Sequence, residues 1–317
     1  MSEARSLPSN EYRFDPRINA AFFVATVATV FWAGGSYWAL TEETAKLPAL
    51  ERTLSGWTFA LPLLAILLFH EFGHYIAARI HRVPASLPYF IPVPIALGTF
   101  GAIITMPERI RSKNALLDIG AAGPLAGLVV AIPTVVIGLW LSPVVPNPES
   151  NYTVEGQNLL YIALKYLVHG PIPEGHDVLL HPTAAAGWAG LLLTMFNLIP
   201  FGQLDGGHIA YALLGERHAT LSRWVRWGLL TLFFAQLARF SLPVLWGTSS
   251  LPWALAIANS WTWLLWFGLL SLMKRLAGGY HHPPTDDSTL SPKRRLVGWG
   301  TAVLFVALFM PTPFTSY

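Results

Sequence analysis

Long apolar stretches separated by short polar segments dominate the pattern of the chain. A transmembrane helix needs about 20 mainly apolar residues. Seven stretches approach or exceed this length: 20–40, 57–80, 115–141, 184–200, 222–241, 251–273 and 295–311. The fourth is short, and the seventh begins at a basic residue, Arg295. The pattern predicts an all-α integral membrane protein with about seven transmembrane helices.

A different pattern separates the second and third stretches. Residues 88–106 read PYFIPVPIALGTFGAIITM, which is apolar but too rich in proline and glycine for a straight helix. Backbone groups in lipid must find their hydrogen-bond partners within the protein. We therefore expect this segment to fold back against other parts of the protein as a re-entrant loop or β-hairpin.

The composition agrees with a membrane protein. Of the 317 residues, 53% are hydrophobic and 12% are charged, whereas about 25% are charged in a typical soluble domain. The net charge of +3 comes without a block of like charges, so a nucleic-acid partner is not expected. Cysteine is absent. Any bound metal must therefore be held by histidine, aspartate or glutamate.

The distribution of lysine and arginine predicts the orientation, because these residues are enriched in cytoplasmic loops. They are concentrated in segments 82–113, 217–226 and 274–295, whereas the long segment 142–183 contains only Lys165. Seven spans place the first three segments on one side and the fourth on the other. We expect a multi-pass protein of the cell membrane with a cytoplasmic N-terminus, and the first 20 residues carry no signal-peptide pattern.

The second apolar stretch contains three polar, titratable side chains in the sequence His-Glu-Phe-Gly-His, residues 70–74. Each such group costs roughly 2.5–3.5 kcal/mol near the centre of a bilayer, so it needs a partner or a function. Residues four apart share one face of a helix. His70 and His74 are therefore spaced to bind one zinc ion, and Glu71 is placed to act as a general base.

A third protein ligand is needed to complete such a site while leaving one position open. Asp205 is the best candidate, because it follows an apolar stretch and precedes Gly206 and Gly207, which permit tight turns and close helix contact. The alternative is that Asp205 caps a helix that starts near Gly207.

The two blocks together resemble the site-2 proteases, which are intramembrane zinc metalloproteases of peptidase family M50. The resemblance rests on residues 70–74 and on the block from Asn197 through Pro200 to Gly207, and it covers residues 57–215. The polar segments are too short to form an accessory domain, so we expect one membrane domain, 1–317. The resemblance implies a catalytic core at 57–215, which leaves additional C-terminal transmembrane helices at 216–317. No PDZ-like or paired nucleotide-binding (CBS) insertion is visible, so we expect a short form.

The resemblance also implies roles for individual residues. His70, His74 and Asp205 would bind the zinc ion, and Glu71 would be the catalytic base. Asn197 would contact the substrate carbonyl or the reaction intermediate.

Two further segments are similar to elements of this family. The stretch Gly98-Thr-Phe-Gly-Ala resembles a hairpin that holds an extended substrate strand, which implies that Gly98, Phe100 and Gly101 bind substrate. A purely structural loop is the alternative. Residues 120–128, GAAGPLAGL, resemble a helix of small residues beside the active-site span, although ordinary packing of membrane helices suffices to explain them.

Other histidines lie outside these two motif blocks. His208, three residues after Asp205, is either an extra ligand or, as we favour, a residue that supports the site. His281 and His282 lie in a polar segment and are expected to be solvated. Three histidines lie in the segment predicted to be external and are not expected to form a separate metal site: His169, His176 and His181.

The sequence thus predicts an intramembrane protease that hydrolyses transmembrane protein substrates in a lipid bilayer, with an active site that opens to the cytoplasm. One alternative is a transporter that passes divalent cations or protons through the same buried groups. Another is a non-catalytic protein that binds membrane partners. The position of Glu71 between two expected ligands argues against a transporter. The presence of the full set of expected catalytic residues argues against a non-catalytic binding protein.

Overall fold

The computed structural model describes residues 15–106, 110–148, 152–276, 279–280, 282–286 and 288–317. The predictions for the first 14 residues and for Arg109 therefore lie outside the described residues. The helices are α1 (Pro16–Ala33), α2 (Ala49–Ser55), α3 (Trp57–Ile80), α4 (Lys113–Trp140), α5 (Leu159–His169), α6 (Pro182–Asn197), α7 (Asp205–Leu214), α8 (Arg217–Leu245), α9 (Trp253–Ala258), α10 (Trp261–Leu276) and α11 (Pro292–Leu308). The strands are β1 (Tyr89–Pro92), β2 (Thr99–Ile103), β3 (Val144–Pro146), β4 (Thr153–Glu155), β5 (His176–Val178) and β6 (Phe314–Ser316).

Five helical segments of the described chain are long and apolar enough to cross a membrane: Pro16–Trp38, Trp57–Ile80, Lys113–Trp140, Arg217–Leu245 and Trp253–Leu276. The prediction of a mainly helical membrane protein is confirmed. The two other predicted spans coincide with α6 and α11, which have 16 and 17 residues, fewer than the about 20 that cross hydrocarbon. Helix α6 is buried along most of its length, so protein rather than lipid surrounds it.

Helices α3, α4 and α6 form the centre of the molecule, and small residues bring them together. A Cβ atom at Gly73 of α3 would overlap the Ala122 carbonyl of α4, and one at Gly138 of α4 would overlap the backbone at Ala184 of α6. Membrane helices gain van der Waals contact in this way because lipid provides no hydrophobic drive for their association. The close approach of α4 to α3 shapes the surroundings of the histidine pair.

The segment 88–106 contains an antiparallel pair of strands. Tyr89 of β1 pairs with Ile103 of β2, and Pro92 pairs with Thr99, with an irregularity between the two pairs. Strand β1 lies against α1, and β2 contacts α3. The hydroxyl of Thr29 on α1 donates a hydrogen bond to the Gly98 carbonyl at 2.7 Å, which fixes the turn of the hairpin on α1.

Two short sheets lie at one end of the helices. They are formed by strands of the segment 142–183 and by the C-terminal strand β6. Strand β3 pairs with β5, and β4 pairs with β6. The ammonium group of Lys165, on α5, joins the two sheets. It lies 3.2 Å from a carboxylate oxygen of Glu155 in β4 and 2.6 Å from one of Asp177 in β5. The end of the described chain is thus tied to the segment predicted to be external.

The connection from α10 to α11 packs at the opposite end. The backbone N–H of Asp286 donates to the Arg111 carbonyl at 2.6 Å, and Arg294 binds both carboxylate oxygens of Asp118. The prediction of a solvated linker is wrong for His282, which is 9% exposed. Its neighbour His281 lies outside the described residues.

Candidate metal centre

The imidazoles of His70 and His74 and the carboxylate of Asp205 meet in the interior. The Nε2 atoms of the two histidines are 3.2 Å apart. Each also lies 3.2 Å from the Oδ2 atom of Asp205. Within the described residues these three form a cluster of side chains able to hold one metal ion.

Local sequence explains how each ligand is positioned. His70 and His74 are one turn apart on α3, so they share one face. Asp205 is the first residue of α7, with Leu204 at the N-cap position and no side-chain capping bond. The capping alternative for Asp205 is therefore not what the structure contains. Gly206 and Gly207 lack the Cβ atoms that would overlap carbonyls of the preceding loop, and this allows the sharp turn that aims Asp205 at α3.

Helix α4 holds the His74 ring in the orientation suited to a metal ligand. The Nδ1 atom of His74 is 2.7 Å from the Ile119 carbonyl. A carbonyl only accepts hydrogen bonds, so Nδ1 carries the proton and Nε2 presents its lone pair to the cluster. A Cβ atom at Gly123 would overlap the His74 imidazole, so α4 can pass this ring only with glycine at that position.

The donor set and its spacing fit zinc. A tetrahedral ion with bonds of about 2.0–2.1 Å holds its ligand atoms about 3.3–3.4 Å apart. The observed triangle, with each side 3.2 Å long, matches one face of such a tetrahedron. Three protein ligands would leave one position of a tetrahedral zinc ion open, which is the arrangement of hydrolytic zinc sites.

Glu71 and Asn197 lie at the same centre. Glu71 follows His70 on α3, and its side chain is buried, with the residue 5% exposed. The Nδ2 atom of Asn197, the last residue of α6, is 3.2 Å from the Nε2 atom of His70. A carboxylate and an amide donor thus accompany the three ligands.

The hairpin residues differ in their surroundings. Gly98 has a positive φ of 84° and packs so closely on α1 that a Cβ atom would lie 2.5 Å from the Cα atom of Val30. This contact is sufficient to explain the glycine. In contrast, Phe100 is 69% exposed and Gly101 has no other atom near its Cβ position. Strand β2 therefore presents an open surface at Phe100 and Gly101.

Sequence reasoning missed one residue of this centre and one contact beside it. Gly123 stands in the small-residue stretch that was explained by helix packing alone, and its three-to-four-residue spacing from Gly120 and Gly127 was the available signal. His282 was expected to be solvated, but its Nε2 atom lies 2.8 Å from the Nδ1 atom of His208, one turn after Asp205 on α7. No local pattern connects these two histidines.

The chain is similar to several curated proteins. It is 35% identical over 210 residues to the Arabidopsis thaliana protein named "Probable zinc metalloprotease EGY1, chloroplastic", which covers 62% of this chain and 36% of the relative. The protein of the same name from Oryza sativa subsp. japonica is 34% identical over 234 residues, covering 70% and 38%. "Probable zinc metalloprotease EGY2, chloroplastic" from Oryza sativa subsp. indica is 30% identical over 271 residues, covering 84% and 44%.

The chain thus spans less than half the length of these relatives. No solved structure matches it. The family model for peptidase family M50 matches residues 58–237, more than half of the chain and the part that contains all three candidate ligands. The match confirms the family predicted from the motifs. The chain belongs to peptidase family M50.

Proposed function

We propose that this protein is an intramembrane zinc metalloprotease of the site-2 type, which hydrolyses peptide bonds within or near transmembrane segments of membrane proteins. The observation that carries the proposal is the triangle of His70, His74 and Asp205, whose sides match the ligand spacing of tetrahedral zinc. Membership of peptidase family M50 and the zinc metalloprotease names of the relatives support the same chemistry.

The buried side chains around the triangle can perform hydrolysis. His70, His74 and Asp205 would hold a zinc ion, which would supply Lewis acidity to the attacking water and the scissile carbonyl. Glu71 accepts the proton of the attacking water and delivers it to the leaving amine. The Asn197 amide, already within 3.2 Å of His70, donates a hydrogen bond to the developing oxyanion.

The substrate is a transmembrane protein whose helix unwinds locally, because a helix hides its amides in internal hydrogen bonds. Strand β2 has one neighbour, β1, in its two-stranded sheet. Its other edge can pair with the freed substrate strand by main-chain hydrogen bonds. Phe100 and Gly101 are open to such a strand, and Gly98 contributes by fixing the turn.

The protein crosses a cell membrane seven times as one domain, with its catalytic core at residues 57–215 and its N-terminus and active-site opening on the cytoplasmic side. Two groups of contacts support this arrangement. Segments with many basic residues meet at one end of the molecule, where Asp286 binds the backbone of Arg111. The C-terminal strand β6 pairs with β4 of the segment 142–183 at the other end. A reporter fused after Ser291 should be cytoplasmic; an external signal there would contradict the seven-span arrangement.

Cleavage of a co-expressed single-span model substrate tests the proposed activity. Glu71→Gln keeps the size and burial of the side chain but removes the base, so cleavage should fall by about a hundredfold or more. Glu51→Gln, an exposed glutamate of α2, is the matched control and should cleave at the wild-type rate. Equal cleavage by Glu71→Gln and wild type would show that the assignment of the base is wrong.

A further inference from the structure

Three cationic side chains surround one tyrosine ring in the connection from α10 to α11. The guanidinium carbons of Arg223 and Arg226, both on α8, lie 5.9 and 5.8 Å from the centroid of the Tyr280 ring. The Nζ atom of Lys274, near the end of α10, lies 4.5 Å from the same centroid. The site combines two helices and the connecting segment, and we call these four residues the Tyr280 pocket.

Within the described residues, no carboxylate balances the positive charge of the Tyr280 pocket. Among the residues that the structure describes, the ion pairs involve other cations, and no carboxylate oxygen lies within 4 Å of Arg223, Arg226 or Lys274. Three like charges around one ring repel one another unless an anion joins them. The aromatic ring attracts each cation through its face, but it carries no net negative charge.

Two buried polar atoms in the pocket also lack a partner within the described chain. The Nη1 group of Arg226 donates to the hydroxyl of Ser271 at 3.1 Å, but its Nε atom is buried without a hydrogen-bond partner. The Tyr280 hydroxyl is buried without one as well. Buried groups of this kind are nearly always paired in folded proteins, and a ligand oxygen is one such partner.

The surrounding surface indicates the depth of the pocket in the membrane. Trp224 and Trp227 of α8 are 70% and 47% exposed, and they lie beside Arg223 and Arg226 in sequence. Tryptophan is enriched where the hydrocarbon meets the polar headgroups. The exposed face of α10 carries Leu265 and Leu272, 60% and 52% exposed, which suit acyl chains. Such surroundings are those expected of cations at the level of lipid phosphates.

We propose that the Tyr280 pocket binds a phosphate group, that of an anionic phospholipid headgroup. Two guanidinium groups and an ammonium group offer charge-assisted hydrogen bonds to its oxygens. Basic pockets between transmembrane helices bind anionic headgroups in this manner. Free inorganic phosphate presents the same oxygens, so the experiment must separate the two sources. The inference does not depend on the proposed proteolytic activity.

The pocket is connected to the metal centre through the same segment. The Tyr280 ring packs edge-on against Phe201, with centroids 6.0 Å apart, in the loop that leads to Asp205. Two residues beyond Tyr280, His282 contacts His208 on α7. A phosphate bound at Tyr280 thus holds the segment that packs on the ligand-bearing helix α7.

The test measures thermal unfolding of the purified full-length protein in a neutral detergent. Three probes are titrated at matched ionic strength: short-chain phosphatidylglycerol, phosphatidylcholine of the same chain length, and sodium phosphate. Phosphatidylglycerol should raise the unfolding midpoint, whereas phosphatidylcholine should not. Arg226→Gln and Lys274→Gln should weaken the apparent affinity for phosphatidylglycerol about tenfold or more. Tyr280→Phe, which keeps the ring, should weaken it less.

Arg275→Gln is the matched control, since it removes the same charge from an exposed position next to Lys274, and it should change the affinity less than about twofold. If Arg226→Gln does not fold, Arg226→Lys keeps the charge and removes the guanidinium fork. Stabilisation by sodium phosphate with the same dependence on Arg226 would support the pocket and identify soluble phosphate as its ligand. Equal effects of Arg275→Gln and Arg226→Gln, or of the two lipids on the wild type, would overturn the proposal.

Discussion

The Nδ1 atom of His208 lies 2.8 Å from the Nε2 atom of His282, although 74 positions separate the two residues. The Nδ1 atom of His282 is 2.8 Å from the Pro283 carbonyl, which can only accept, so this nitrogen carries the proton. Burial, followed by the neighbouring His282, lowers the pKa of His208 to about 3, and this imidazole is neutral at pH 7. Burial also lowers the pKa of His282 below its usual value, so this ring is neutral at pH 7 as well. Its unprotonated Nε2 atom therefore accepts the Nδ1 proton of His208.

This hydrogen bond predicts a stabilising role for His282 outside the metal centre. His282→Ala leaves the buried Nδ1–H of His208 without an acceptor, so we expect the unfolding free energy to fall by about 1–3 kcal/mol. Thermal unfolding of the purified protein measures the change. His176→Ala, at an exposed position, should leave the midpoint unchanged, and an equal midpoint for His282→Ala would show that the contact does not stabilise the fold.

The triangle of donor atoms predicts that zinc content depends on Asp205. Asp205→Ala removes one of the three proposed zinc ligands, so bound zinc after dialysis should fall below about one-tenth of the wild-type value. Elemental analysis of the purified proteins gives the metal-to-protein ratio. Glu42→Ala removes an exposed carboxylate and should retain the metal. Full zinc occupancy in Asp205→Ala would exclude Asp205 as a ligand.

The close passage of α4 over His74 predicts that Gly123 cannot be enlarged. In Gly123→Ala the new methyl group overlaps the His74 imidazole, so the ring must move, and both zinc content and cleavage should be lost. Gly268→Ala in α10 is the control, because no other atom lies within 4 Å of its Cβ position. Alanine there should be neutral or stabilise the helix by about 0.5–1 kcal/mol. Normal zinc binding by Gly123→Ala would contradict the close contact.

The buried ion pair between Lys165 of α5 and Glu155 of β4 predicts a large effect on stability away from the metal centre. The side chains of Lys165 and Glu155 are 9% and 10% exposed, and Lys165→Ala leaves the buried Glu155 carboxylate without its cation. Removal of one partner of a buried pair costs about 3–5 kcal/mol. Chemical denaturation compares this variant with Lys46→Ala, an exposed lysine. A loss as small as that of the control would indicate that water replaces the ammonium group.

Features that depend on local spacing and composition could be predicted from the amino-acid sequence alone. Apolar length and low charge indicated a mainly helical membrane protein. The four-residue separation of His70 and His74 placed them on one helical face, because helical geometry relates residues one turn apart whatever surrounds them. Residues 70–74 together with the block from Asn197 to Gly207 were sufficient to identify the family.

Which distant residues share a site became evident from the packing of the helices. The 3.2 Å approach of Asp205 to the histidines depends on how α7 and α3 both pack against α4. The contact of His208 with His282 and the need for glycine at position 123 depend in the same way on packing between distant elements. Such contacts follow from the mutual fit of whole helices, which no local pattern of residues encodes. For the same reason His282, which was expected to be solvated, is buried and packs against His208 of helix α7.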